Sequence, residues 1–121
     1  MKRLVVLLLL LLAYQSAPNL AIAGVPQRPA NENVSITDLP KEVRSTLASI
    51  KKGGPFPYQR DGIVFGNFEK RLPSKERGYY KEYTVPTPGA ATRGARRIIA
   101  GRRGDYYYTD DHYKTFRRIR E

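Results

Sequence analysis

At 121 residues and 13.8 kDa the chain has room for one compact domain. It has no Cys and one His, which excludes a disulfide scaffold, a thiolate zinc or iron–sulfur centre, a Cys nucleophile and the usual His-rich metal sites. Its 22 Lys and Arg against 11 Asp and Glu leave a net charge of +11, so the composition calls for a polyanionic partner: nucleic acid, an anionic membrane or an acidic polysaccharide.

Residues 1–23 have the layout of a secretory leader. Lys2 and Arg3 precede an apolar run over 4–13, and Ala21-Ile22-Ala23 forms an A-x-A cleavage site before Gly24. The apolar run is shorter than the roughly 20 residues that span a bilayer as a helix. A cleaved leader, a secreted protein and no stable membrane association are therefore expected. Lys2 and Arg3 are the only charged residues of the segment, so its removal lowers the net charge from +11 only to +9. The cationic surplus belongs to the mature domain, expected over residues 35–121.

Residues 24–34, rich in Pro, Asn and Gln at their start, read as a flexible arm. Residues 39–50 predict a helix. Leu39, Val43, Leu47 and Ile50 repeat at spacings that place them on one apolar stripe. Pro40 suits the first helical position, Thr37 or Asp38 the cap, Lys51 and Lys52 the negative end of the helix dipole, and Gly53-Gly54-Pro55 the stop. Beyond Pro57 the pattern becomes β: residues 79–85, 96–100, 106–109 and 115–119 are short aromatic and β-branched runs separated by turn residues. One helix followed by successive strands predicts an α+β fold, an N-terminal α-helix packed on a twisted antiparallel β-sheet.

Strand alternation puts Glu82 on a face with Tyr80 and Thr84, and Arg97 on a face with Ile99. If the two strands pair, a carboxylate and an arginine meet on the sheet, where an ordinary cross-strand salt bridge is the plain alternative. His112 follows a strand in Asp110-Asp111-His112-Tyr113, a position where histidines are commonly solvated. Arg93, Arg96 and Arg97 cluster behind the Gly- and Pro-rich loop 86–94; they form either a solubilising patch or a bidentate phosphate site. The 9 tyrosines suit a sheet core, with some available to stack on bases. Together a Glu, a His and two Arg suffice for metal-free RNA cleavage, which needs a base, an acid and cations for the phosphorane charge.

The stretches Gly54-Pro-Phe-Pro-Tyr58, Asp61-Gly-Ile-Val-Phe65, Asn67-Phe-Glu69, Gly78-Tyr-Tyr-Lys-Glu-Tyr-Thr-Val85, Thr87-Pro-Gly-Ala90, Thr92-Arg-Gly-Ala-Arg-Arg-Ile-Ile99 and Asp111-His-Tyr-Lys-Thr-Phe116 occur in one order. Through residues 39–119 the chain resembles the small secreted guanyl-preferring microbial ribonucleases, the barnase and binase group, and is especially similar to the streptomycete members. The resemblance implies that Glu82 is the general base for the ribose 2′-OH and His112 the acid for the 5′-oxygen. It also implies that Arg93 and Arg97 bind the phosphate and that Tyr113 contacts phosphate or base.

The resemblance implies guanine selection by the loop Phe65-Gly-Asn-Phe-Glu69. Glu69 accepts the ring N–H and exocyclic amine of guanine, and backbone N–H groups near Asn67 and Phe68 donate to O6. Neither metal nor cofactor is implied. The implied partners are RNA and, for a toxin, an acidic barstar-like inhibitor; the protein is expected to be a monomer. Two features depart from the relatives: Phe68 stands where an arginine is usual, and the disulfide joining the chain ends is missing. The rival from another class is a non-catalytic exported protein that binds RNA or other polyanions through its basic surface.

Overall fold

The computed structural model describes residues 32–121; the expected leader and residues 24–31 of the expected arm lie outside the described residues. Strand β1 (Glu32–Ser35) runs into a 3-10 turn (Ile36–Asp38) and then helix α1 (Lys41–Lys52). Five strands follow: β2 (Ile63–Val64), β3 (Tyr80–Thr84), β4 (Arg97–Gly101), β5 (Tyr106–Thr109) and β6 (Arg117–Arg120). They form one sheet in the order β1-β6-β5-β4-β3-β2.

The expected α+β architecture holds, with local corrections. The sheet is antiparallel except at one edge, where β1 pairs in parallel with β6. Residues 32–34, assigned to the arm, thus belong to the sheet. Val34 is the only apolar residue of β1, so the strand owes its existence to β6 and has no pattern of its own. Helix α1 begins at Lys41, not Leu39, with Pro40 in the cap position and no side-chain cap. Leu39 is extended (φ −97°, ψ 156°), as a residue before proline tends to be. Thr37 and Asp38 sit in the 3-10 turn, and Ser35 caps it by accepting from the Thr37 N–H. At the other end Gly53 takes the left-handed conformation (φ 82°), which lets it and Gly54 donate to Ile50 and Ser49 carbonyls.

Alternation along the strands gives the sheet two cores. On one face Leu39, Val43 and Leu47 of the helix side pack with Val85, Ile98, Tyr108 and Ile119. Each such side chain, fully buried, contributes roughly 1.5–3 kcal/mol of hydrophobic stabilisation. On the opposite face Leu72, Tyr79, Tyr80, Ile99, Tyr107 and Phe116 form a second, aromatic core beneath the loops after β2 and β5. This second core carries the row of polar residues from which the site is built.

Candidate active site

Glu82 and Thr84 of β3 project from the face away from the helix, and the register sets Glu82 opposite Ile99 and Thr84 opposite Arg97. Arg97 is in turn opposite Thr109 of β5. Glu82 is 8% exposed and Arg97 2%, so both charges are largely removed from water and need polar partners. They lie on one face, as alternation predicts, yet they are diagonal in register and do not form the salt bridge that was the plain alternative. Tyr113 connects them: its hydroxyl donates to Glu82 Oε1 at 3.1 Å and accepts from Arg97 Nε at 3.2 Å. Burial pushes the Tyr113 phenol up, the charge of Glu82 pushes it further, and Arg97 opposes. The phenol therefore keeps its proton and remains a donor to the carboxylate. Arg97 Nη1 donates to the carbonyls of Gly94 and Arg96 at 2.9 and 2.8 Å, which fixes the guanidinium.

His112 reaches the same place from the loop after β5. Its ring centroid lies 4.7 Å from that of Tyr113, and its side chain is exposed. Both residues have left-handed backbones, with φ 56° and 72°. Such conformations cost of order 1–3 kcal/mol each and persist only where the surroundings over-determine them. The determinants here are polar. Asp111 Oδ1 accepts from the Thr109 hydroxyl and the Thr115 N–H, each at 2.9 Å, and Oδ2 from the Thr115 hydroxyl at 2.5 Å. Thr109 Oγ1 accepts from the Tyr113 N–H at 3.1 Å, and the His112 N–H donates to the Ala95 carbonyl. Burial raises the Asp111 carboxyl, but the hydrogen bonds from Thr115 and Thr109 override it and hold the group below its usual range. Thr115 is thus tied into this loop, which is why the last strand begins at Arg117, two residues later than expected.

Arg93 is half-buried, two residues before the Ala95 carbonyl that accepts from the His112 N–H, and its Nη1 is buried without a hydrogen-bond partner. A guanidinium N–H with no protein acceptor is free to donate to an anion, and planar phosphate recognition is within the reach of arginine.

A hollow of about 140 Å³ adjoins Tyr113, bounded by Phe65, Asn67, Phe68, Glu69 and Arg71 over a floor of Phe116. Phe65 and Tyr113 stack with centroids 5.4 Å apart, making a flat apolar wall. Asn67 has φ 50°, and its amide donates to the Leu72 carbonyl (2.9 Å) and accepts from the Leu72 N–H (3.1 Å), so the loop closes on itself. Phe68 is 82% exposed, and its ring leans over Gly66, where a Cβ would come within 2.5 Å of it. No side chain larger than hydrogen fits there unless Phe68 moves. The Glu69 carboxylate stands at the mouth, with Oε2 held by Arg71 Nε at 2.6 Å.

Eight of the nine residues singled out from the sequence are thus joined through Tyr113 and the hollow, namely Phe65, Asn67, Phe68, Glu69, Glu82, Arg97, His112 and Tyr113, whereas no contact ties Arg93 to them. Arg71, Asp111 and Thr109 are additions that the sequence reading missed. The run of short polar residues flanking His112 was the available signal for the last two, since Asp and Thr favour local side-chain to backbone bonds. Arg71, following Lys70, looks like a solvated charge. A larger hollow, of about 590 Å³, lies between Ile50, Lys81, Tyr83 and Tyr106 on the helix face and includes none of the nine. Among the described residues no group of three His, Asp or Glu is placed to hold a metal ion.

A domain that sets a buried carboxylate, a histidine and two arginines beside a flat aromatic hollow has the equipment of a protein that cleaves phosphodiesters next to a base. The family model described as ribonuclease matches residues 24–120, and the chain belongs to that family, within its guanyl-specific microbial group. The chain is 54% identical over 86 residues to guanyl-specific ribonuclease St of Saccharopolyspora erythraea, covering 71% of this chain and 85% of the relative. It is 56% identical over 84 residues to guanyl-specific ribonuclease Sa of Kitasatospora aureofaciens, covering 69% and 88%. The solved structure of ribonuclease Sa2 in complexes with mononucleotides superposes with a TM-score of 0.75 at 51% identity, over 78% of this chain and 98% of that one. A second, of Sa2 with guanosine-2′-cyclophosphate, gives 0.71 at 52% identity, over 74% and 95%.

Proposed function

We propose that this protein is an endoribonuclease that cuts single-stranded RNA 3′ of guanosine, without a metal, through a 2′,3′-cyclic phosphate that it then hydrolyses. The observation that carries the reading is the Glu82–Tyr113–Arg97 chain with His112 against its phenol, beside a base-sized aromatic hollow edged by a carboxylate. Glu82 takes the proton of the ribose 2′-OH as that oxygen bonds to phosphorus. The bond to the 5′-oxygen breaks, and protonated His112 gives its proton to the leaving oxygen. In the second step neutral His112 takes a proton from water, the hydroxide opens the cyclic ester, and Glu82 returns its proton to the 2′-oxygen. Arg93 and Arg97 meet the charge that builds on the non-bridging oxygens; one such preorganised contact is worth about 2.7–4 kcal/mol. Guanine lies in the hollow against Phe65, with its ring N–H and exocyclic amine on Glu69.

Digestion of a defined RNA in excess EDTA tests this directly. Cuts are expected 3′ of guanosine, with cyclic phosphate ends appearing before the 3′-monophosphate. The rate is expected to follow a bell-shaped pH profile, because one group must be ionised and the other protonated. RNA that is bound but left intact, or cuts with no relation to guanosine, would overturn the reading.

A further inference from the structure

Among the charged side chains at the mouth of the hollow, Arg71 has no part in the reaction just described. Its Nε donates to Glu69 Oε2 at 2.6 Å, and its Nη1 donates at 2.5 Å to the backbone carbonyl of Lys114, 43 residues away in sequence. Lys114 follows His112 and Tyr113 in the strained loop after β5. One guanidinium therefore joins the carboxylate at the base hollow to the segment that carries the histidine.

We propose that Arg71 is a positioning residue that sets guanine selectivity: it fixes the Glu69 carboxylate for the base and clamps the base-reading loop to the His112 loop. The inference rests on the guanyl-specific reading above and names what enforces it. Glu69 is 71% exposed and Arg71 43%, so the pair stands mostly in water. An ion pair in that setting contributes little to stability, and its consequence lies in restricting where the carboxylate points. A carboxylate has about four acceptor sites, and Arg71 uses one of them on Oε2. Oε1 and the second site of Oε2 remain for the two N–H donors of guanine, so the arginine and the base are compatible. Arginine serves the two acceptors from separate nitrogens held in one plane, whereas lysine carries its three donors on a single mobile nitrogen and does not reproduce that spacing. The Arg71–Lys114 bond closes a ring whose other side is the Phe65–Tyr113 stack, so the hollow and the loop are joined at two points.

The test uses the whole protein and its Arg71→Ala and Arg71→Lys variants. The readouts are kcat and KM on the dinucleotides GpC and ApC, the Kd for guanosine 3′-monophosphate, and Tm. Both variants are expected to lose about tenfold in the preference for GpC over ApC, the size of one charge-assisted hydrogen bond. Guanosine 3′-monophosphate is expected to bind more weakly, kcat on GpC to fall along with the rise in KM, and Tm to stay within a few degrees. Wild-type selectivity in Arg71→Lys would overturn the proposal, because charge alone would then suffice. Unchanged or tighter guanosine 3′-monophosphate binding by Arg71→Ala would overturn it as well. A wild-type protein that cuts GpC and ApC equally would overturn the guanyl-specific reading itself, and this proposal with it.

Discussion

Glu82 and Arg97 are the charged side chains buried among the described residues, and a phenol stands between them. Direct contact would neutralise both and leave neither for a substrate. With Tyr113 between them, Glu82 keeps acceptor capacity and Arg97 remains in the cleft, while the hydroxyl satisfies part of each. Such an arrangement costs stability relative to an apolar core and is retained where chemistry needs the charges. Glu82→Gln keeps an acceptor for the Tyr113 hydroxyl but removes the base, and His112→Ala removes an exposed acid. Each is expected to lower kcat/KM on GpC by at least about 10²-fold while far-UV circular dichroism stays that of the folded protein. A folded variant of either kind with near-wild-type cleavage would remove that residue from the mechanism.

The loop after β5 is the element that brings His112, the proposed acid, to the sheet, and Asp111 is its organiser. Its carboxyl is held below the usual range, so the folded state favours the ionised form more than the unfolded chain does. The stabilisation is therefore present above the unfolded pKa of about 3.8 and is lost as pH falls through the lower folded value. Asp111→Asn is expected to lower stability by about 1–2 kcal/mol at neutral pH. Denaturation of both proteins as a function of pH should show the gap closing in acid; a gap that does not narrow as pH falls below the unfolded value would contradict the assignment. Elements with their own periodicity were legible in the sequence: the stripe of Leu39, Val43, Leu47 and Ile50, and the alternation that placed Glu82 and Arg97 on one face. Those that depend on distant partners were not. Strand β1 has one apolar residue and exists through β6, Leu39 is turned out of the helix by Pro40, and Arg71 acquires its partner at Lys114 only once the chain has folded. The resemblance to a known family pointed to the candidate reacting residues; it said nothing of the hydrogen bonds around them.

At the scale of the molecule the cations are largely uncompensated. Among the described residues only Lys51, Arg71, Arg102 and Arg117 form ion pairs with carboxylates. The remaining Lys and Arg present a positive field, and Arg93 and Arg97 account for two of them. RNA longer than the cleft should therefore feel attraction that a dinucleotide does not. Raising salt from ~50 to ~200 mM is expected to raise KM for a long RNA substantially more than KM for GpC, since each phosphate contact releases counterions. Equal salt dependence would confine electrostatic recognition to the cleft. The parallel pairing of β1 with β6 also does more than complete a sheet. It clasps the first described residues to the last, reinforced by Arg120 to Asn33, while Lys51 at the end of α1 holds Glu121. In a chain without cysteine that clasp is made wholly of reversible bonds. Thiol reductants should leave the fold untouched, whereas ionic strength and acid act directly on its charged components. Among the described residues, β1 and the β6 edge it covers would then be the first to fray and reseal, and a protease would find its earliest cut there, at the edge of the sheet farthest in strand order from Glu82.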